Sequence, residues 1–509
     1  MTARSFRTLF LAVAAVLVVA VAGHAQSLAE FEKKVTTFTL DNGMKFLVVE
    51  RHEAPVVSFI TFANVGSSNE TKGITGVAHL FEHMAFKGTT TIGTKDLAAE
   101  TAAVAKEDEA FQKLRAELVK GDRADPKALE AARKELEEAK AAARAFVVNG
   151  EFAEALEKAG ATGVNAFTSY DFTGYISSLP SNKLELWFSL ESDRFLNPFL
   201  RDFYAEKDVV MEERRMGNEN TPRGKLFEEF GSIAFLAHPY GEPLIGHMSD
   251  LQALPRAKAE AFFREQYAAS NLTAVIVGDV DPKHCRDLAQ TYFGRLPKRP
   301  RPEPVVTREP PQKGERRVVL ELPSQPYLVM GFHKPDFNHP SKIRFDVLAD
   351  ILSGGRSSRL HQSLVKDKKV AIRAFATPNY PGSRYPNLFL FMAIPAQGHT
   401  PEECEAAIDE EIGKLRTAPV TQEELDKAKV RARAMVVGGL DSNENIAQNL
   451  AYYEVVAGDW REMFRRGLET INEVTAAEIQ ELAQTWLVKE NRSVGLIRTV
   501  QKPEPPKAK

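Results

Sequence analysis

The pentad His79-Leu80-Phe81-Glu82-His83 constrains this chain more than any other stretch, because its chemistry is available only in a helix. A helix over residues 76–86 sets His79 and His83 one turn apart on the same face, where both imidazoles can close on one ion. Glu82 falls on that face too and can take a proton from water bound to the ion. Mixed imidazole and carboxylate ligation gives a preference for Zn2+ over manganese or cobalt.

A catalytic zinc takes three protein ligands and keeps a fourth position for water. The order H-x-x-E-H is the inverted form of the H-E-x-x-H peptidase helix. A second predicted helix, over residues 203–217, carries Glu206 and Glu213 seven residues apart. Two turns separate them, so they share a face with Val209 and Val210, and a carboxylate there can complete the ligand set. Glu212 points elsewhere, and with Arg214 and Arg215 it fits a solvated acidic helix equally well.

Five stretches now resemble the pitrilysin-type inverted zinc metallopeptidases, the family of insulin-degrading enzyme and the mitochondrial processing peptidase. They are GVAHLFEHMAFKGT from Gly76, VNAFTSYDFTGY from Val164, AEKDVVMEE from Ala205, HPYGEPLIG from His238 and SGGRSSRLHQSL from Ser353. The resemblance implies that His79, His83 and Glu213 hold Zn2+, that Glu82 is the general base, and that Glu206 supports a ligand histidine from behind. It also implies that Asn165, Ala166, Phe167 and Thr168 form an edge strand that pairs with substrate backbone. The expected fold is α+β, with two similar halves forming a clamshell. The expected activity is zinc-dependent endoproteolysis of peptides or unfolded polypeptides, the alternative being a non-catalytic peptide-binding or assembly subunit of the same fold.

Organisation along the chain agrees with two halves. The segment from Asn271 to Val280 resembles the segment from Asn491 to Val500, and both read as buried strands closing a helix-rich stretch. Residues 297–316 are rich in Pro, Arg and Lys and read as a linker. The zinc-bearing half is expected at residues 30–296, the second half at 317–500, and a disordered tail at 501–509.

Two departures from the family pattern stand out. Residues 98–146 form an Ala-, Glu- and Lys-rich insertion in which Gly121 stops one helix and Asp125 with Pro126 starts another, predicting a helical hairpin. Its charged faces are expected to be solvated. Second, the family commonly places an Arg and a Tyr after a Ser-Ser-Arg-Leu segment, and aligning on Ser357 to Leu360 those positions read Val365 and Ile372. Neither can donate a hydrogen bond to a developing oxyanion. The resemblance therefore implies a homologous sister subunit that supplies both donors, or a homodimer; a local shift of alignment would bring in Arg356 or Arg373 instead.

Arg4 and Arg7 precede an apolar run from Leu9 to Val21 and small residues ending at Ala25, the pattern of a secretory signal over residues 1–25. Export to the periplasm is expected, without a stable membrane anchor after cleavage. A net charge of −3 gives no basis for a nucleic-acid partner. The two cysteines, Cys285 and Cys404, sit in separate predicted helices and read as buried free thiols.

Overall fold

The computed structural model describes residues 28–500, so the predicted signal and the tail from residue 501 lie outside the described residues. The first half is built on strands β1 (Val35–Thr39), β2 (Lys45–Glu50), β3 (Val56–Ala63), β4 (Thr162–Thr168), β5 (Thr173–Pro180) and β6 (Leu272–Gly278), ordered β1-β2-β6-β3-β5-β4. The second half uses β7 (Arg316–Leu322), β8 (Tyr327–Lys334), β9 (Ala371–Thr377), β10 (Asn387–Pro395) and β11 (Arg492–Thr499), ordered β7-β11-β8-β10-β9.

Apart from β1, the two sheets have the same topology. The last strand of each half, β6 or β11, inserts parallel to one neighbour and antiparallel to the other. These are the two segments whose sequences resemble each other. Each is preceded by a tight turn whose asparagine is tied down in the same way. Asn271 Nδ2 donates to Gln266 O at 2.8 Å and Asn64 O at 3.2 Å; Asn491 Nδ2 donates to Trp486 O at 3.0 Å and His333 O at 2.7 Å.

The halves close on each other by exchanging helices. One helix of the first half (Pro222–Ala234) lies on β7 and β11, and one of the second half (Asn443–Ala457) lies on β3 and β6. Each sheet thus has its apolar outer face covered by the other half, and two hydrophobic clusters run across the junction. Asp171 adds a polar tie: it accepts from Tyr240 OH at 2.5 Å and from the backbone N–H groups of Ser383 and Arg384 at 2.6 and 3.1 Å. The linker is pinned as well, since Glu309 accepts from the backbone N–H groups of Leu236, Ala237 and His238.

The insertion is a helical hairpin of α1 (Leu97–Leu118) and α2 (Pro126–Arg144). Gly121 takes a positive φ of 58° in the turn, and Asp125 caps the second helix by accepting from Lys127 N–H at 3.0 Å. The expectation of a wholly wet decoration is corrected here. Glu100 and Glu107 are buried and paired with Arg201 and Arg256, and Phe111 stacks on Tyr204 at 4.2 Å. One face of the hairpin therefore belongs to the core, and only the outer face is solvated.

Both cysteines are buried free thiols, Cys285 in the first half and Cys404 in the second. No helix among the described residues is long and apolar enough to cross a membrane.

Candidate metal centre

The pentad lies in a helix, Val77–Met84, whose buried face is Val77, Ala78, Leu80, Phe81 and Met84. Apolar burial orients the helix, leaving His79, Glu82 and His83 half-buried toward the cleft. Its start is fixed by a residue the sequence did not single out. Glu70, itself buried, accepts from the N–H groups of Gly76 and Ala78 at 2.7 Å each, satisfying two of the free donors of the first turn. Burial pushes the Glu70 carboxyl up to about 8, against the pull of those two bonds. Gly76 has φ 88°, and a Cβ there would meet Ile245 O at 2.5 Å, so the chain enters the helix through a position that demands glycine.

The second helix runs Phe203–Arg214 and continues as a π-helical turn over Arg215–Glu219. Glu206 and Glu213 share the face turned to the pentad. Val210 is buried, but Val209 is 45% exposed, which corrects the expectation that both valines approach the core.

One ligand atom from each of His79, His83 and Glu213 can be chosen so that all three lie within 4.8 Å of one another. Glu213 Oε2 is 3.8 Å from His79 Nε2 and 3.5 Å from His83 Nε2. Donors about 2.0–2.1 Å from a tetrahedral ion stand roughly 3.3 Å apart, so the three side chains fit a cation with little movement. The other nitrogen of His83, Nδ1, faces Glu206 Oε2 at 3.6 Å, and Glu206 is paired in turn with Lys87. That arrangement favours hydrogen on Nδ1 and a lone pair on Nε2, the form a metal takes. His79 Nδ1 is buried with no hydrogen-bond partner among the described residues.

The electrostatics divide the two imidazoles. Burial pulls His79 down to about 4, with His83 adding to the effect and Glu213 opposing it, so this ring is neutral at physiological pH. Glu206 raises the pKa of His83 against the cost of burial. Burial pushes the Glu206 carboxyl up, but His83 and Lys87 outweigh it and hold the group below its ordinary value. The Glu82 carboxylate makes no hydrogen bond or ion pair among the described residues, which leaves its oxygens open to solvent or substrate.

Asn165, Ala166, Phe167 and Thr168 lie in β4, the outermost strand of the first sheet, which among the described residues pairs with β5 alone and packs beside the pentad helix. A cleft of about 330 Å³ opens next to His79 and Glu213, walled by Tyr170, Asn218, Phe227 and Tyr380 from both halves. Sequence reasoning passed over these wall residues, because only the exchange of helices brings them together.

In the second half, Val365 is half-buried in a helical turn and Ile372 is 57% exposed on the edge strand β9. Arg373 lies over the Phe375 ring, and among the described residues no hydrogen bond or ion pair joins Arg356 or Arg373 to the four site residues. Arg359 of the Ser-Ser-Arg-Leu segment is structural, forming a two-pronged pair with Glu424 at 2.7 and 2.8 Å.

Two α+β halves of one topology, with an inverted His-His-Glu site on the first, define an inverzincin-type architecture. The sequence profile of the insulinase domain (peptidase family M16) matches residues 45–116 and 147–247, and that of the peptidase M16 inactive domain matches residues 253–431. The chain belongs to peptidase family M16. The break between the two matched pieces of the first profile falls in the hairpin. Among curated relatives, zinc protease PqqE of Helicobacter pylori is 28% identical over 444 residues, 85% of each chain. An uncharacterized zinc protease of Mycobacterium leprae is 24% identical over 477 residues, 92% of each. A crystal structure of a protease from Helicobacter pylori has a TM-score of 0.76 at 25% identity, covering 91% of this chain and 99% of that one. The periplasmic protease PqqL from Escherichia coli shares the fold, with a TM-score of 0.68 at 17% identity; the match covers 92% of this chain and 48% of PqqL.

Proposed function

We propose that this chain is an exported zinc endopeptidase that hydrolyses peptides or unfolded polypeptides, with His79, His83 and Glu213 as metal ligands and Glu82 as general base. The observation that carries the reading is the convergence of Glu213 on both histidines, with His83 backed by Glu206. A divalent ion held there supplies Lewis acidity toward the scissile carbonyl and a lowered pKa for water. Glu82 accepts the proton of the attacking water and returns it to the leaving amine. The free edge of β4 offers main-chain N–H and C=O groups to an extended substrate, which holds the scissile bond beside the pentad helix.

A second polypeptide is part of this reading. Val365 and Ile372 offer no donor to an oxyanion, and such donors lower the barrier by about 3–4 kcal/mol. The chain matches about half of PqqL, which supports a sister subunit or second copy in the place of the other half. The same two residues favour the second reading, a non-catalytic peptide-binding or assembly subunit. Export to the periplasm fits the basic and apolar N-terminus and the periplasmic PqqL.

Cleavage of a fluorogenic peptide, with and without chelator and with and without co-purified partner, tests the proposal. Chelator-sensitive cleavage that requires the partner supports it. Metal binding without cleavage in any combination supports the non-catalytic reading.

A further inference from the structure

The helix that carries Glu206 and Glu213 has a second cavity on its opposite side. At about 100° per residue, Tyr204, Lys207 and Met211 project roughly 100–180° away from the two glutamates. A cleft of about 540 Å³ lies there between this helix and the hairpin, with Phe111, Leu114, Leu118 and Leu136 as apolar walls. Its volume is within the range of small-molecule sites, about 300–1,000 Å³. Leu118 and Leu136 both lie in the stretch that the family profile omits, so this cavity belongs in part to the insertion.

Lys207 is the unusual residue in its wall. The side chain is 3% exposed, and its ammonium donates to Gln252 O and Leu254 O at 3.2 Å each and sits 3.8 Å from the centre of the Phe111 ring. No carboxylate stands within ion-pair distance of it among the described residues. Burial pulls its pKa down to about 7, with Lys140 adding to the effect and the more distant Asp208 and Glu107 opposing it. The acids around the cleft are already engaged: Glu137 and Asp208 by Lys140 at 2.8 and 2.7 Å, and Glu212 by Arg215 at 2.9 Å. The exposed Arg133 at the rim has no such partner among the described residues. Two carbonyls and an aromatic ring hold the ammonium with no carboxylate in contact among the described residues, and an anion in the cleft supplies that missing partner.

We infer that the cleft between the hairpin and the glutamate helix binds a carboxylate carried on an apolar chain, with the anionic head on Lys207 and the chain between Phe111, Leu114 and Leu136. Two sources share this chemistry, a fatty acid and the free C-terminus of an apolar peptide. The site is separate from the metal centre and stands whether or not the chain cleaves peptides.

Isothermal titration of the full chain with dodecanoate below its micellar concentration, with dodecanol, and with an acetylated apolar tripeptide as free acid or amide tests the inference. A carboxylate ligand is expected to bind at least 10-fold more tightly than its neutral analogue, and Lys207→Met is expected to weaken it at least 10-fold. Leu136→Trp fills the cleft from the hairpin side and is expected to abolish binding with Lys207 intact. Binding of dodecanoate assigns the site to acyl chains, and binding of the peptide acid alone assigns it to peptide ends. Absence of binding by both acids, or binding indifferent to both substitutions, overturns it. A thermal melt of Lys207→Met shows that the variant is folded despite losing the bonds to Gln252 O and Leu254 O, and Leu136→Trp, which keeps those bonds, tests the cleft independently.

Discussion

Glu213 Oε2 stands 3.5 Å from His83 Nε2, although the whole hairpin insertion lies between the two residues in the chain. The pair is brought together because the pentad helix and the glutamate helix pack side by side. The insertion leaves this geometry alone by docking on the far face of the glutamate helix. Lengthening the chain between ligands has therefore not loosened the site.

Replacing Glu82 with Gln keeps the size of the side chain and removes the base. Peptide cleavage is expected to fall by about 10²–10⁴-fold while zinc content is unchanged. Rates from the fluorogenic assay and metal analysis of the same preparation check this; retained cleavage takes Glu82 out of the role.

Glu206 acts through His83. Glu206→Gln removes the charge that faces His83 Nδ1 and breaks the pair with Lys87, so zinc affinity is expected to drop about 10–100-fold. Competition against a chromogenic chelator measures the change. The fold should persist, since Glu206 is not part of the core clusters.

Much of this centre was legible in the sequence, and the reason is local. His79, Glu82 and His83 are related by one helical turn, and Glu206 and Glu213 by two, so periodicity alone places them on faces. Glu70 was not legible, because a glutamate in a loop gives no sign that it caps a helix starting seven residues later. The hairpin misled for a similar reason. Glu100 and Glu107 look solvated in a charged stretch, whereas Arg201 and Arg256, which bury them, come from distant parts of the chain. The junction between halves was hidden too, since each exchanged helix covers a sheet formed elsewhere in the sequence.

Asp171 ties the two halves through three accepted hydrogen bonds. Asp171→Ala leaves Tyr240 OH and two backbone N–H groups without their acceptor, with an expected loss of about 2–4 kcal/mol. A drop in denaturation midpoint of that size checks the claim. An unchanged midpoint would mean that the apolar clusters alone hold the junction.

His238 gives the junction a pH dependence. Burial holds its pKa near 4, below the ordinary 6.5, with Asp171 and Glu309 opposing the shift. The unfolded chain therefore takes up the proton first as pH falls. The contribution of neutral His238 is complete above pH 6.5 and is lost as pH drops toward 4. Between pH 7 and 5 the parent is expected to lose about 1–2 kcal/mol more stability than His238→Gln. Denaturant melts of both proteins at the two pH values give the difference directly, and equal losses would refute it.

The most direct test of the central claim is the zinc content per chain, measured by mass spectrometry of the purified protein after dialysis. One zinc per chain is predicted for the parent, with none retained by His79→Ala or His83→Ala and a marked loss in Glu213→Ala. A parent without zinc after loading, or variants that hold it as well as the parent does, would contradict the assignment of these three residues.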